Sequence, residues 1–191
     1  MENNLALEHK NAELILKVGW RLFQQKGFRG VSVDELCLEC GLSKPTLYYY
    51  FHDKETLFVQ VLQYQLHGFH AVIERPGSLP ERLQRTAASI LESFQTQYSA
   101  ILHDREHIKD LNNQRHIREA FHCELFDPLI ALMRVGIEQG ELDGDDPELL
   151  SLVFLGIVNN FIGRSGEQAL DKTALAQKLT NYFLKGTIKY E

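Results

Sequence analysis

Cysteine, proline and tryptophan are all scarce, at three, five and one residues of 191. Three cysteines cannot build a disulfide scaffold, and Cys37 and Cys40 fall inside a helical pattern, which fits a reducing cytoplasm. No stretch reaches the roughly 18 uninterrupted apolar residues that a spanning helix needs. The richest, Leu149 to Ile162, is broken by Ser151, Gly156, Asn159 and Asn160. Met1-Glu2-Asn3-Asn4 lacks the basic and apolar regions of a signal peptide, so a cytoplasmic protein with no membrane association is expected. Basic charge is also short: 20 Lys and Arg stand against 26 Asp and Glu, a net of −6.

The distribution of that charge matters more than its sum. Residues 9 to 54 hold seven basic against five acidic residues, so the rest of the chain carries −8. Such asymmetry suits a DNA-facing N-terminal part on an acidic body. At 44% hydrophobic the chain can bury a real core, as one compact domain or two small ones.

Helical spacing runs almost throughout and strand signals are few, which predicts an all-α fold. Leu14, Ile15, Val18, Leu22 and Phe23 share one face of a first helix that Gly27 ends. Ser32 and Glu35 read as a capping box for a second helix burying Val33, Leu36, Cys37 and Cys40, which stops at Gly41. Ser43 caps a short third helix with Pro45 in its first turn, and Asp53 caps a fourth that continues past Phe69 towards Arg75. After the break at Arg75-Pro76-Gly77-Ser78-Leu79-Pro80, one long amphipathic helix is expected from Leu83 to Leu102, with Ser78 and Glu81 as its capping box. A shorter piece should cover Asp104 to Asn112, and a helix kinked at Pro128 should span Gln114 to Gln139. Asp146 caps the apolar helix Leu149 to Ile162, and a last helix runs from Asp171 to about Lys189.

Gly41-Leu42-Ser43 is a tight turn between two short helices, which is helix-turn-helix spacing. In the third helix Leu47 and Phe51 lie four apart and can anchor it. Lys44, Thr46, Tyr48, Tyr49 and Tyr50 are left for the other faces. Three consecutive tyrosines make a poor core, since each buried hydroxyl would need a partner. On a groove-facing surface the hydroxyls can donate to phosphate, the rings can touch thymine methyls, and Lys44 can reach guanine. Lys54 sits in the first turn of the fourth helix, where an anion is favoured.

These residues resemble the N-terminal signature of the tetracycline-repressor (TetR) family of transcriptional regulators. The resemblance covers about Ile15 to Leu62 and rests on Phe23 with Gly27-Phe28, Ser32-Val33, Gly41-Leu42-Ser43, Thr46-Leu47-Tyr48, Tyr50-Phe51 and Lys54-Glu55 with Leu57. It implies a DNA-binding domain over residues 1–53 and a helical effector-binding and dimerisation domain over 54–191. Lys44, Pro45, Thr46 and Tyr49 would then face base edges, while Ser32, Tyr48, Tyr50 and Lys54 would hold phosphates. The implied protein is a homodimeric repressor on a palindromic DNA operator, released by a small-molecule effector, with no cofactor and no catalytic residue.

The apolar residues of the last two helices are the natural dimer surface: Leu149, Leu152, Val153, Leu155, Ile157, Leu175, Leu179, Tyr182 and Phe183. Phe94, Tyr98, Phe121, His122 and Phe126, with Asn159, are candidate walls of an effector pocket. Two other readings compete. His103 and His107, four apart, could grip a metal and serve a metal-dependent enzyme, though no metal site is assigned. A regulator with no small-molecule effector would have a filled core.

Overall fold

Capping chemistry sets most of the helix boundaries in a computed structural model that describes residues 2–163 and 171–187. Among the described residues there are eleven α-helices and no strand. They are α1 (Glu2–Gly30), α2 (Val33–Cys40), α3 (Lys44–Phe51), α4 (Lys54–Leu66), α5 (Phe69–Glu74) and α6 (Leu79–Ser93). The remainder are α7 (Tyr98–Asp104), α8 (Leu111–Phe121), α9 (Asp127–Glu138), α10 (Pro147–Asn159) and α11 (Lys172–Thr187). The helix expected to reach Lys189 is described as far as Thr187; residues 188–191 lie outside the described residues.

Each predicted cap is made. The Ser32 hydroxyl accepts from the Glu35 N–H at 3.1 Å, Ser43 from Thr46, Asp53 from Thr56 at 2.7 Å and Asp146 from Leu149 at 2.9 Å. Ser78 and Glu81 form the reciprocal box, the Ser78 N–H donating to the Glu81 carboxylate at 2.8 Å. The box at Ser32 is only half formed, because the Glu35 carboxylate pairs with Lys26 instead of turning back. Gly27, at φ 68°, breaks helical geometry inside α1, in a region that an L side chain rarely adopts.

Four expected helices are cut differently. The piece expected over residues 104–112 is only a 3-10 turn at Arg105–His107, and the helix expected from Gln114 already starts at Leu111. The fourth helix does not run on to Arg75: Gly68, at φ 99°, separates α4 from α5. The long helix after Pro80 ends at Ser93, where Phe94 turns extended, and Tyr98–Asp104 is a helix of its own. No glycine or proline marks that break; buried Phe94 meets Phe69 and Tyr98, each at 6.2 Å between ring centres. The kink expected at Pro128 is a π-helical turn over His122–Phe126, as suits a residue lacking the N–H that an α-helix would use there.

The helices group into two compact units. The first takes in the residues up to Gln65 together with Ala100–Glu119. Its core holds Leu36, Leu47, Phe51, Leu57, Val61 and an aromatic trio in which Phe58 meets Phe23 edge-on at 4.9 Å and Phe28 at 5.2 Å. The second holds Leu66–Ser99 and the described residues from Ala120 onward. There α6 packs on α11 and α5, and α9 on α10, around buried Leu83, Ile90, Leu129, Phe154 and Phe183.

Candidate nucleic-acid interface

Gly41 closes α2 in the left-handed conformation, with the Leu42 N–H returning to the Cys37 carbonyl at 3.0 Å. Two residues later Ser43 caps α3, so the turn between the helices is fixed at both ends. Fully buried Leu47 and Phe51 hold α3 by one face. Lys44, Pro45, Tyr48 and Tyr49 stand outward, with Thr46 and Tyr50 half-buried beside them. Tyr49 is 68% exposed, and its ring meets Tyr50 edge-on at 5.2 Å. The Thr46 and Ser43 hydroxyls lie 2.8 Å apart. Seven of the eight residues named from sequence therefore lie on α3 or at the start of α2, with Ser32 exposed as a cap whose hydroxyl keeps its donor side free.

The eighth, Lys54, points elsewhere. Its ammonium donates to the carbonyls of Phe28 and Val31, each at 2.8 Å, and sits 4.3 Å from the centre of the Phe28 ring. Burial pushes it below the ordinary lysine range, while the charges of Asp104 and Glu55 oppose that shift. Two of its three N–H groups thus serve the corner between α1 and α2.

That corner has further partners that sequence reading did not single out for it. The Asp104 carboxylate accepts from the Phe28 N–H at 2.8 Å, directly after the Gly27 break. Glu55 accepts from the backbone N–H groups of Lys109 and Asp110 at 3.0 and 3.1 Å. Ala100–Glu119, about fifty residues downstream, thus belongs to the same unit as the helix-turn-helix. Sequence offered no signal for this, because the pairings are non-local and Asp104 sits in a run that reads as a metal motif.

Lys44 lies 2.7 Å from Asp34 of α2, and Arg21 lies 2.5 Å from Glu39. The hydrogen bond to Asp34 is the main cause holding the Lys44 ammonium above its ordinary range. His103 and His107 stand 6.4 Å apart between ring centres, with His103 facing Glu106 at 3.4 Å. Among the described residues no group of three or more His, Cys, Asp or Glu could hold a metal ion.

In the second unit the six pocket candidates divide. Phe94, Tyr98 and Phe121 are buried in a ladder, Tyr98 to Phe121 at 6.4 Å and Phe121 to Phe126 at 6.3 Å. Burial pushes the Tyr98 phenol up to about 12. His122 and Phe126 instead line an open cleft of about 180 Å³ with Ile130, Glu148, Ser151 and Leu152. The Asn159 amide donates to the Ser99 hydroxyl at 3.1 Å.

The dimer candidates divide as well. Leu149, Leu152, Val153 and Tyr182 are exposed, Leu152 by 54% and Tyr182 by 69%. Ile157 and Leu175 are half-buried. Leu155, Leu179 and Phe183 are buried within the chain, Phe183 edge-on against Phe154 at 5.3 Å, so that intramolecular packing already covers them.

Residues 15–61 match the family model for bacterial regulatory proteins of the tetR family. The HTH-type transcriptional regulator YerO of Bacillus subtilis (strain 168) is 36% identical over 58 residues, 30% of this chain and 20% of YerO, so the match spans a fifth of that protein's length. The HTH-type transcriptional regulator YhgD of the same organism is 26% identical over 182 residues, 91% of this chain and 95% of YhgD. Among solved structures, the TetR-family transcriptional regulator PfmR from Thermus thermophilus shares the fold at a TM-score of 0.74 and 24% identity, over 90% of this chain and 97% of that one. No helix among the described residues is long and apolar enough to cross a membrane.

Proposed function

From the premise that this chain belongs to the tetR family of bacterial regulatory proteins, we propose that it is a homodimeric transcriptional repressor that binds a palindromic operator and is released by a small molecule. The observation that carries the reading is α3. Leu47 and Phe51 anchor one face while Lys44, Tyr48 and Tyr49 stand exposed on the other, Lys44 paired only with the equally exposed Asp34, an arrangement that supports a surface for the major groove. Lys44, Pro45, Thr46 and Tyr49 read base edges; Ser32, Tyr48 and Tyr50 bind phosphates and set the register. Lys54 acts as a positioning residue, fixing the corner that presents α2 and α3.

One recognition helix reads too few base pairs to find a site in a genome, so the reader works as a two-fold dimer. Leu149, Leu152, Val153 and Tyr182 supply the exposed apolar surface for it, with Ile157 and Leu175 at its margin. DNA reading is assigned to residues 1–53, effector binding and dimerisation to 54–191. The cleft beside His122 and Phe126 is smaller than the roughly 300–1,000 Å³ of drug-sized pockets, so it suits a small effector or opens further around one. Release requires that the effector bind the DNA-free conformation more tightly, since equal affinity shifts nothing. The segment that Asp104 and Glu55 tie into the first unit is continuous in sequence with the second at both ends, which supports it as the carrier of that change.

Selection of bound sequences from a random duplex pool at fixed, near-physiological salt tests the proposal. A palindrome with half-sites a helical turn or more apart is the expected result. Failure of folded protein to enrich any sequence overturns it.

A further inference from the structure

An acidic side chain stands among the groups assigned to DNA, and its ion pair does little for stability. Asp34, in the first turn of α2, is 77% exposed at its side chain, and its partner Lys44, the first residue of α3, is 51% exposed. An ion pair this open to water contributes little to folding. A lone carboxylate in that place would repel the phosphate backbone. Paired with Lys44 at 2.7 Å it is neutralised, and the two groups together present a donor beside an acceptor.

A base pair presents a complementary edge. In the major groove of a G·C pair the guanine O6 acceptor lies beside the cytosine N4–H donor, because the two are hydrogen-bonded to each other at roughly 2.9 Å. After donating once to Asp34, the ammonium of Lys44 keeps two N–H groups, enough for guanine O6 and N7. The Asp34 carboxylate keeps lone pairs for the outward N4–H of cytosine. An A·T pair also offers an acceptor beside a donor, but thymine puts a methyl group where guanine puts N7, so Lys44 loses one of its two bonds.

We propose that Asp34 is a base-reading residue, and that Asp34 and Lys44 act as one unit on a single G·C pair in each half-site, Lys44 on the guanine and Asp34 on the cytosine amino group. The proposal rests on the reading of the chain as a DNA-binding dimer, and its test separates the two. Sequences are selected from random duplexes by the wild-type protein and by Asp34→Asn at the same salt, with thermal melting to confirm that both are folded. The wild type then meets its own palindrome carrying N4-methylcytosine at the assigned position, where the methyl group blocks the outward N–H.

The wild type should select G·C at one position of each half-site. Asp34→Asn should lose that preference by about ten-fold and admit A·T, since an amide can both donate to and accept from adenine. N4-methylcytosine should weaken wild-type binding about ten-fold and leave Asp34→Ala unaffected. A palindrome that Asp34→Asn selects unchanged, or wild-type binding indifferent to the methyl group, overturns the proposal while the DNA-binding reading stands. No palindrome for the wild type overturns both.

Discussion

The ammonium of Lys54 rests 4.3 Å from the centre of the Phe28 ring and donates to the Phe28 carbonyl at 2.8 Å, with a second bond of equal length to Val31. A positive charge at the start of a helix, in a chain that reads as DNA-binding, is therefore used to close the α1–α2 corner. Lys54→Ala leaves two carbonyls without that donor and should cost about 1–2 kcal/mol of stability. A lower thermal midpoint is the expected observation. An unchanged midpoint with weakened DNA binding would return Lys54 to the phosphate contacts.

Gly27 and Asp104 make a second joint at the same corner. A Cβ at Gly27 would come 3.2 Å from the Asp104 carboxylate, and the backbone there has φ 68°. Gly27→Ala should destabilise by more than about 1 kcal/mol. Asp104→Asn, which keeps the shape and loses the charge, should destabilise less and weaken operator binding, although Asp104 is not among the residues assigned to DNA. Calorimetry beside DNA titration checks both, and full operator affinity in Asp104→Asn would remove it from the coupling route.

Dimerisation is open to a direct attack at Leu152, an exposed apolar residue of α10. Leu152→Glu places a charge where a partner would have to bury it, and should shift the protein to monomer with a fall in operator affinity of at least about ten-fold. Sedimentation at micromolar concentration reads the first effect. A dimer that survives both Leu152→Glu and Tyr182→Glu would place the interface elsewhere.

Tyr98 gives the pH prediction. Its folded value is about 12 against an ordinary 10, raised by burial. A raised folded value means that stability is fully present below pH 10 and is lost as pH climbs from 10 towards 12. Midpoints measured over that window should fall for the wild type and fall less for Tyr98→Phe. Parallel profiles would mean that the phenol is not what titrates.

The sequence-independent part of DNA binding should follow Tyr48. Its hydroxyl is assigned to phosphate, so Tyr48→Phe should weaken binding to specific and random duplexes alike, by a few-fold at fixed salt. A change confined to the operator would make Tyr48 a base reader.

Features that depend on near neighbours along the chain could be read from the order of residues alone. Caps at Ser32, Ser43, Asp53, Ser78 and Asp146, the Gly27 and Gly41 stops, and the Leu47 and Phe51 anchors are each set by residues within four positions, the reach of a helical hydrogen bond. The all-helical fold and the outward set on α3 were legible for that reason. Contacts that join distant residues were set by packing. Phe94 ends α6 with no breaker in the sequence because its ring is buried against Phe69 and Tyr98. Leu155, Leu179 and Phe183, apolar like any dimer contact, are drawn into the core by packing that periodicity cannot rank. Lys54, Asp104 and the Asp34–Lys44 pair take their partners from ten to seventy-six positions away, and a charge is assigned to a carbonyl, an N–H or a base only when the fold has placed that group within about 3 Å of it.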